Sequence, residues 1–181
     1  MKDENPCKLK STQVVYENPW MKVREDLVVR PGGKDGMFGI VDMKDGVTVV
    51  ALDTQNNVYL VREYAYAVER YTLECISGGM DEDRDFLALA KRELKEEIGG
   101  ISSEWINLGQ IDPFTGVIKS VNHIYLAKNV TIDFPQNTDE GEVIQVIKMS
   151  FAEAYGKVMS GEITHGASVV GILRTHILLN E

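Results

Sequence analysis

The sequence predicts an α+β domain: a region of strands, one amphipathic helix set among them, then more strands and two closing helices. Three observations carry this prediction. Apolar residues alternate with polar ones through Met21, Val23, Glu25, Leu27 and Val29. Short apolar runs are then separated by Gly, Asn and Asp clusters. A single change to helical period begins at Phe86, bounded by the glycine pairs Gly78-Gly79 and Gly99-Gly100.

In chain order, Val14 to Val29 reads as extended, broken at Tyr16-Glu17-Asn18-Pro19. Pro31-Gly32-Gly33 and Asp35-Gly36 mark a turn. Met37 to Met43 and Val47 to Leu52 read as strands flanking Lys44-Asp45-Gly46, whose Asp-Gly pair predicts a tight hairpin. Gln55-Asn56-Asn57 turns the chain into a strand over Val58 to Tyr64, so the expectation here is an antiparallel meander. Phe86 to Ile98 follows as a helix with Leu87, Ala90, Leu94 and Ile98 on one face, stopped by glycine. Strands are expected at Trp105 to Ile111, Val121 to Ala127 and Val143 to Met149. A helix opens on the capping sequence Ser150-x-x-Glu153, and a last one covers Ala167 to Leu179. Met149 and Met159 read as core. No repeat and no long linker divides the chain. It splits at most into a strand region over residues 1–45 and a main domain over 46–181.

With 181 residues, 44% hydrophobic and 26% charged, the composition is that of an ordinary globular protein. The net charge of −9, from 28 acidic and 19 basic residues, argues against gripping nucleic-acid phosphates. Cys7 and Cys75 form no CxxC cluster, which predicts neither zinc nor a disulfide framework and fits a reduced, cytoplasmic setting. The start MKDENPCKLK lacks the apolar stretch of a signal peptide, and no run reaches the roughly 18 apolar residues of a membrane span.

The chemistry is concentrated in Arg92-Glu93-Leu94-Lys95-Glu96-Glu97-Ile98-Gly99. At about 100° per residue, Glu93 and Glu97 share a helix face and Glu96 flanks it, beside the apolar sector of Leu94 and Ile98. Three carboxylates this close repel one another, and a bound cation removes that penalty. Hard Mg²⁺ takes oxygen ligands, keeps waters, and is suited by one or two carboxylates plus substrate phosphate oxygens. A bare Glu-x-x-Glu-Glu is commonly a solvated face; the glycine pair just upstream, where backbone can approach a phosphate, favours the functional reading. His123, His165 and His176 are scattered and read as structural or exposed.

These residues resemble a known box. Gly78, five residues, Arg84, seven residues and then Arg92 to Gly99 are similar to the Nudix pattern G-x5-E-x7-R-E-U-x-E-E-x-G-U, with U aliphatic. Arg84 stands where the family has Glu, and Gly100 where it has an aliphatic residue. The family's Glu supports the box arginine, and the candidates to support Arg92 here are Asp81, Glu82, Asp83 and Asp85. Val58 to Tyr64 with Tyr71-Thr72-Leu73-Glu74, the Asp139-Glu140-Gly141-Glu142 loop, and Ser160 to Ser168 extend the resemblance to the ADP-ribose pyrophosphatase and NDP-sugar hydrolase subfamily.

The resemblance implies an α/β/α sandwich with a mixed sheet. Ahead of it comes a small N-terminal antiparallel strand region that in this subfamily exchanges across a homodimer. It implies Mg²⁺, with Mn²⁺ as a substitute, held by Glu93, Glu97, the Ser77 carbonyl, Glu96 and Glu142. Glu140 and Glu142 match the loop acids that supply a general base, with Glu96 as a further catalytic carboxylate. Arg62 and the backbone of Gly78 and Gly79 match diphosphate contacts, Trp20 matches an aromatic that stacks on the base, and Arg92 is structural within the box. The implied reaction is attack of a metal-activated water on the diphosphate of a nucleoside diphosphate sugar, giving a nucleoside monophosphate and a sugar phosphate. In Asp112 to Ser120 the loop acid of ADP-ribose hydrolases is absent and Lys119 is present, which keeps other sugars such as that of GDP-mannose open. Two other readings remain: a module that binds a nucleotide sugar without cutting it, and a hydrolase of other nucleotide diphosphate derivatives.

Overall fold

The computed structural model of the chain describes residues 4–80, 85–138 and 143–181. Its strands are β1 (Lys8–Glu17), β2 (Met21–Val29), β3 (Asp35–Met43), β4 (Gly46–Leu52), β5 (Asn57–Ala65), β6 (Arg70–Glu74) and β7 (Ile76–Gly79). Helix α1 (Phe86–Ile98) comes next, then β8 (Gly100–Ile101), β9 (Glu104–Ile111), β10 (Ile118–Lys119), β11 (Asn122–Lys128), β12 (Thr131–Ile132) and β13 (Gln145–Ser150), and finally α2 (Phe151–Met159) and α3 (Gly166–Leu179). The chain separates into two units: residues up to Lys44 with Asp112–Val121, and Asp45–Ile111 with Asn122–Glu181.

In the first unit β1, β2 and β3 form an antiparallel meander, and β10 joins β3 in parallel. The break at Pro19 is the β1–β2 turn, where the Asn18 side chain accepts from the backbone N–H groups of Trp20 (2.9 Å) and Met21 (2.8 Å). All ten residues of β1 are exposed, and Val28 is the one buried residue among those described in this unit.

The second unit holds a sheet in the order β13-β5-β4-β11-β9, with β6 on β5 and β7 on β4. β4 pairs β11 in parallel and its other neighbours antiparallel, so the sheet is mixed. Because side chains alternate across a strand, β4 and β5 feed two cores. Val47, Val49, Ala51, Tyr59 and Val61 meet Leu89, Ala90, Leu94 and Ile98 of α1. Val50, Leu52, Val58 and Leu60 meet Phe151 and Ala154 of α2 and Ile172 of α3. Helices on both faces make the expected α/β/α sandwich, and explain why β4 reads as a continuous apolar run. Gly171 lets α3 lie close on the sheet: a Cβ there would stand 3.0 Å from Val50 and 3.2 Å from Ile124.

Three expectations are corrected. Lys44-Asp45-Gly46 is not a hairpin turn, because β3 and β4 belong to different sheets and do not pair. The antiparallel meander therefore ends at β3, and β4 enters a mixed sheet. Met159, at the end of α2, is 64% exposed, whereas Met149 packs against the core.

Candidate active site

Helix α1 begins where Asp85 accepts from the Ala88 N–H (2.9 Å), the usual N-cap bond. It ends at Gly99, whose φ of 68° suits glycine. A Cβ at Gly99 would also overlap the Phe134 carbonyl, so the position is closed to any other residue on two counts. Leu89, Ala90, Leu94 and Ile98 are buried, while Leu87 lies at the rim. Gly100, the departure from the aliphatic pattern, sits in space already filled: a Cβ would stand 3.1 Å from Ile98 and 3.2 Å from Leu94.

The three glutamates differ in their surroundings. Glu97 is only 7% exposed, and its Oε1 accepts from the Ser77 N–H at 3.2 Å, which ties the helix to β7. Glu93 presses against Gly78, where any Cβ would overlap its carboxylate; the glycine is there because the acid needs that space. Glu96 is the more exposed of the three and lies 3.7 Å from Arg92 Nε. Arg92 also donates to Glu93 Oε1 at 3.2 Å, so one guanidinium offsets part of the repulsion between two of the acids and fixes their orientation. The Asp85 side chain is engaged as the helix cap through its Oδ1. Asp81, Glu82, Asp83 and Arg84 lie outside the described residues.

The groups brought together are the carboxylates of Glu93 and Glu97, set beside the backbone of Ser77 and Gly78. Two carboxylates so placed fit a hard divalent cation that completes its shell with other oxygens, from phosphate and water. Among the described residues no three His, Cys, Asp or Glu side chains converge on one point as a complete protein cage. A cation that shares its ligands with substrate requires no such cage.

Glu140 and Glu142 lie outside the described residues, but the stem leading toward them is placed. Asp133 and Phe134 donate backbone N–H groups to the Gly99 carbonyl (3.0 and 3.1 Å), and Asn137 to that of Glu96 (2.9 Å). The Gln136 side chain donates to the Glu97 carbonyl at 2.6 Å, and Lys95 lies 4.4 Å over the Phe134 ring. This stem therefore takes up the carbonyls that the last turn of α1 leaves open.

Arg62 projects from β5 and is exposed, with its guanidinium 3.9 Å over the Tyr71 ring. Tyr64 stands edge-on to Tyr71 at 5.4 Å, and Tyr66 is 87% exposed. This aromatic group was not singled out in the sequence, although Tyr64-Ala65-Tyr66 at a strand end is its visible signal. Gly79 ends β7 opposite Gly46. Trp20 is 71% exposed in the β1–β2 turn and belongs to the other unit. Lys119 also lies there, 3.3 Å from Asp42. That unit contains a cavity of about 510 Å³ lined by Arg24, Phe38, Asp112, Lys119 and Ser120 among others, and by none of the three glutamates. The histidines are all engaged: His123 stacks on Phe86 at 3.8 Å, His176 on Tyr155 at 3.9 Å, and His165 pairs with Glu74.

The chain is similar to known proteins over most of its length. A family model described as the NUDIX domain matches residues 42–167, and one described as the nucleoside diphosphate sugar hydrolase N-terminal domain matches residues 8–41. The chain is 28% identical to an ADP-ribose pyrophosphatase of Mycobacterium tuberculosis over 168 residues, 92% of this chain and 81% of that protein. It is 25% identical to a methanol dehydrogenase activator of Bacillus methanolicus, covering 89% of this chain and 88% of that one. A crystal structure of an ADP compounds hydrolase superposes with a TM-score of 0.87 at 19% identity, covering 99% of this chain and 97% of that chain.

Proposed function

The chain belongs to the Nudix family, and from that premise we propose that it is a pyrophosphatase that hydrolyses the diphosphate of nucleoside diphosphate sugars. The observation that carries this is the pair of carboxylates at the junction of α1 and β7: Glu97 buried and fixed by the Ser77 N–H, Glu93 against Gly78. Burying a carboxylate is costly unless it is paired or serves a charge partner, and an oxygen-lined junction of this kind suits Mg²⁺, with Mn²⁺ as its substitute. Glu93, Glu97 and the Ser77 carbonyl are its proposed ligands, with Glu96 beside them and Glu142 from the loop. A divalent cation bound there would neutralise diphosphate charge and lower the pKa of a water.

The chain's own residues do the remainder. Arg92 holds Glu93 and Glu96 in place through its ion pairs. Gly78 and Gly79, without side chains, let the backbone come close to a phosphate. Arg62, flat on Tyr71, offers a guanidinium suited to phosphate oxygens. Glu140 or Glu142 removes a proton from the attacking water, and Trp20 stacks on the base. Water adds across one P–O–P linkage, leaving a nucleoside monophosphate and a sugar phosphate. We place the protein in the cytoplasm, a reading supported by its two free cysteines. Among the described residues no helix is long and apolar enough to cross a membrane. We also propose a homodimer, supported by the apolar side chains that the β1–β3 sheet leaves exposed.

The test is a panel of NDP-sugars incubated with Mg²⁺ or Mn²⁺, with a phosphatase-coupled readout of released phosphate. Turnover of at least one NDP-sugar is expected. Tight binding without product would replace hydrolysis by nucleotide-sugar sensing.

A further inference from the structure

Between β6 and β7 the chain changes partners: β6 pairs with β5 and β7 with β4. The change falls at Cys75, which pairs with neither strand and is fully buried. Its backbone N–H cannot be left open in such a place. It donates to Ser168 Oγ of α3 at 2.8 Å. Ser168 is itself fully buried and lies 2.8 Å from His165 Nδ1, which stands 3.1 Å from Glu74 Oε2. Glu74, the last residue of β6, is 9% exposed. His165 Nδ1 thus stands between the Glu74 carboxylate and the Ser168 hydroxyl, and the network runs from β6 through His165 and Ser168 back to Cys75. Nucleophilic chemistry does not fit this set: His165 meets both Ser168 and Glu74 through the same nitrogen, Ser168 has no access to solvent, and burial pushes the Cys75 thiol up to about 12.

The metal-site backbone lies immediately beyond Cys75. Two residues on, Ser77 donates to Glu97, and Gly78 makes room for Glu93. We infer that Glu74, His165 and Ser168 are positioning residues: by pinning the strand change at Cys75 they set where the Ser77–Gly78 backbone meets the two helix carboxylates. This rests on the metal-dependent hydrolase reading for its consequence, but the coupling itself is a property of the apo chain.

The experiment uses Ser168→Ala, which removes the acceptor at Cys75, Ser168→Thr, which restores a hydroxyl, and His165→Gln as a second route should the first variant fold poorly. Amide hydrogen exchange on the apo protein should quicken at Cys75 to Gly78 in Ser168→Ala and stay unchanged in β4 and β5. The Mn²⁺ dissociation constant, read by electron paramagnetic resonance, should rise about fivefold, the factor one ordinary hydrogen bond is worth. The rate should fall with KM for the sugar nucleotide unchanged, and Ser168→Thr should recover both. Unaltered exchange at Cys75 to Gly78, or weakened thermal stability with the Mn²⁺ constant unmoved, would overturn the inference. If wild-type protein binds Mn²⁺ but turns over no NDP-sugar, the functional reading fails while exchange and Mn²⁺ binding still decide this one.

Discussion

Strands β4 and β1 both lie in the first third of the sequence and are opposites in the structure. β4 has six of its seven residues buried, five of them in the cores under α1 on one face or under α2 and α3 on the other. β1 has all ten exposed, including Leu9, Val14, Val15 and Tyr16. The first carries the site, because β7 and its glycines hang on β4 and face α1. The second lies at an open edge, held by pairing with β2 and by surface contacts such as the Lys10–Asp35 ion pair. The difference teaches where sequence changes act: around β4 they should alter chemistry or folding, and on β1 association.

The largest effect is expected at the buried acid. Glu97→Gln keeps the shape but removes the charge, and should lower kcat by about a thousandfold, the scale of losing one charge-stabilising group. Circular dichroism should report an intact fold. Near-normal turnover would remove the glutamate helix from the mechanism. Next comes Gly78→Ala, whose new methyl must displace Glu93. It should cost about 1–3 kcal/mol in urea denaturation, as overpacking does, and depress activity with it.

A smaller effect is expected at the turn from β4 to β5, which also belongs to the buried side of the contrast. Burial pushes the Asp53 carboxyl up, but hydrogen bonds from Lys148, the Asn57 side chain and the backbone of Asn57 and Gln55 outweigh it and hold it well below the usual carboxylate range. A depressed folded pKa contributes stability above the unfolded value, about 3.9, and that contribution is lost as pH falls further. Asp53→Asn should therefore cost about 1–2 kcal/mol at pH 7, and the gap from wild type should narrow by pH 3 in thermal melts. A gap that is equal at both values would assign the loss to packing alone.

How much of this was legible from the residues depended on periodicity. Helix α1 announced itself through Leu94, Ile98, the glycine stops and the glutamate spacing, and the structure adds Leu89 to the buried set. The outer half of β1, from Lys8, was not readable, since a strand exposed on both faces has no alternation to show. β6 and β7 were missed for a different reason: they are four or five residues long and exchange partners at Cys75, so neither builds a pattern. The Lys44-Asp45-Gly46 turn was misread because a local dipeptide signals a reversal but not which sheet the next strand joins. The convergence of Glu74, His165 and Ser168 left no signal in the residues around them, being brought about across ninety-odd residues by the sandwich itself.

The contrast is sharpened most by a change expected to do almost nothing to the folded chain. Leu9→Lys with Val15→Lys adds charge to exposed positions of β1, so denaturation should move by no more than about 0.5 kcal/mol. If this open sheet is covered by a second copy, each charge must be desolvated there, and sedimentation at micromolar concentration should shift from dimer toward monomer. Turnover of an NDP-sugar by the monomeric variant would show that a single copy of the chain suffices for the chemistry. Loss of turnover in step with dissociation would show that β1 serves the site through its partner. A dimer that persists would move the contact away from this face, and the exposed β1 would then need another explanation.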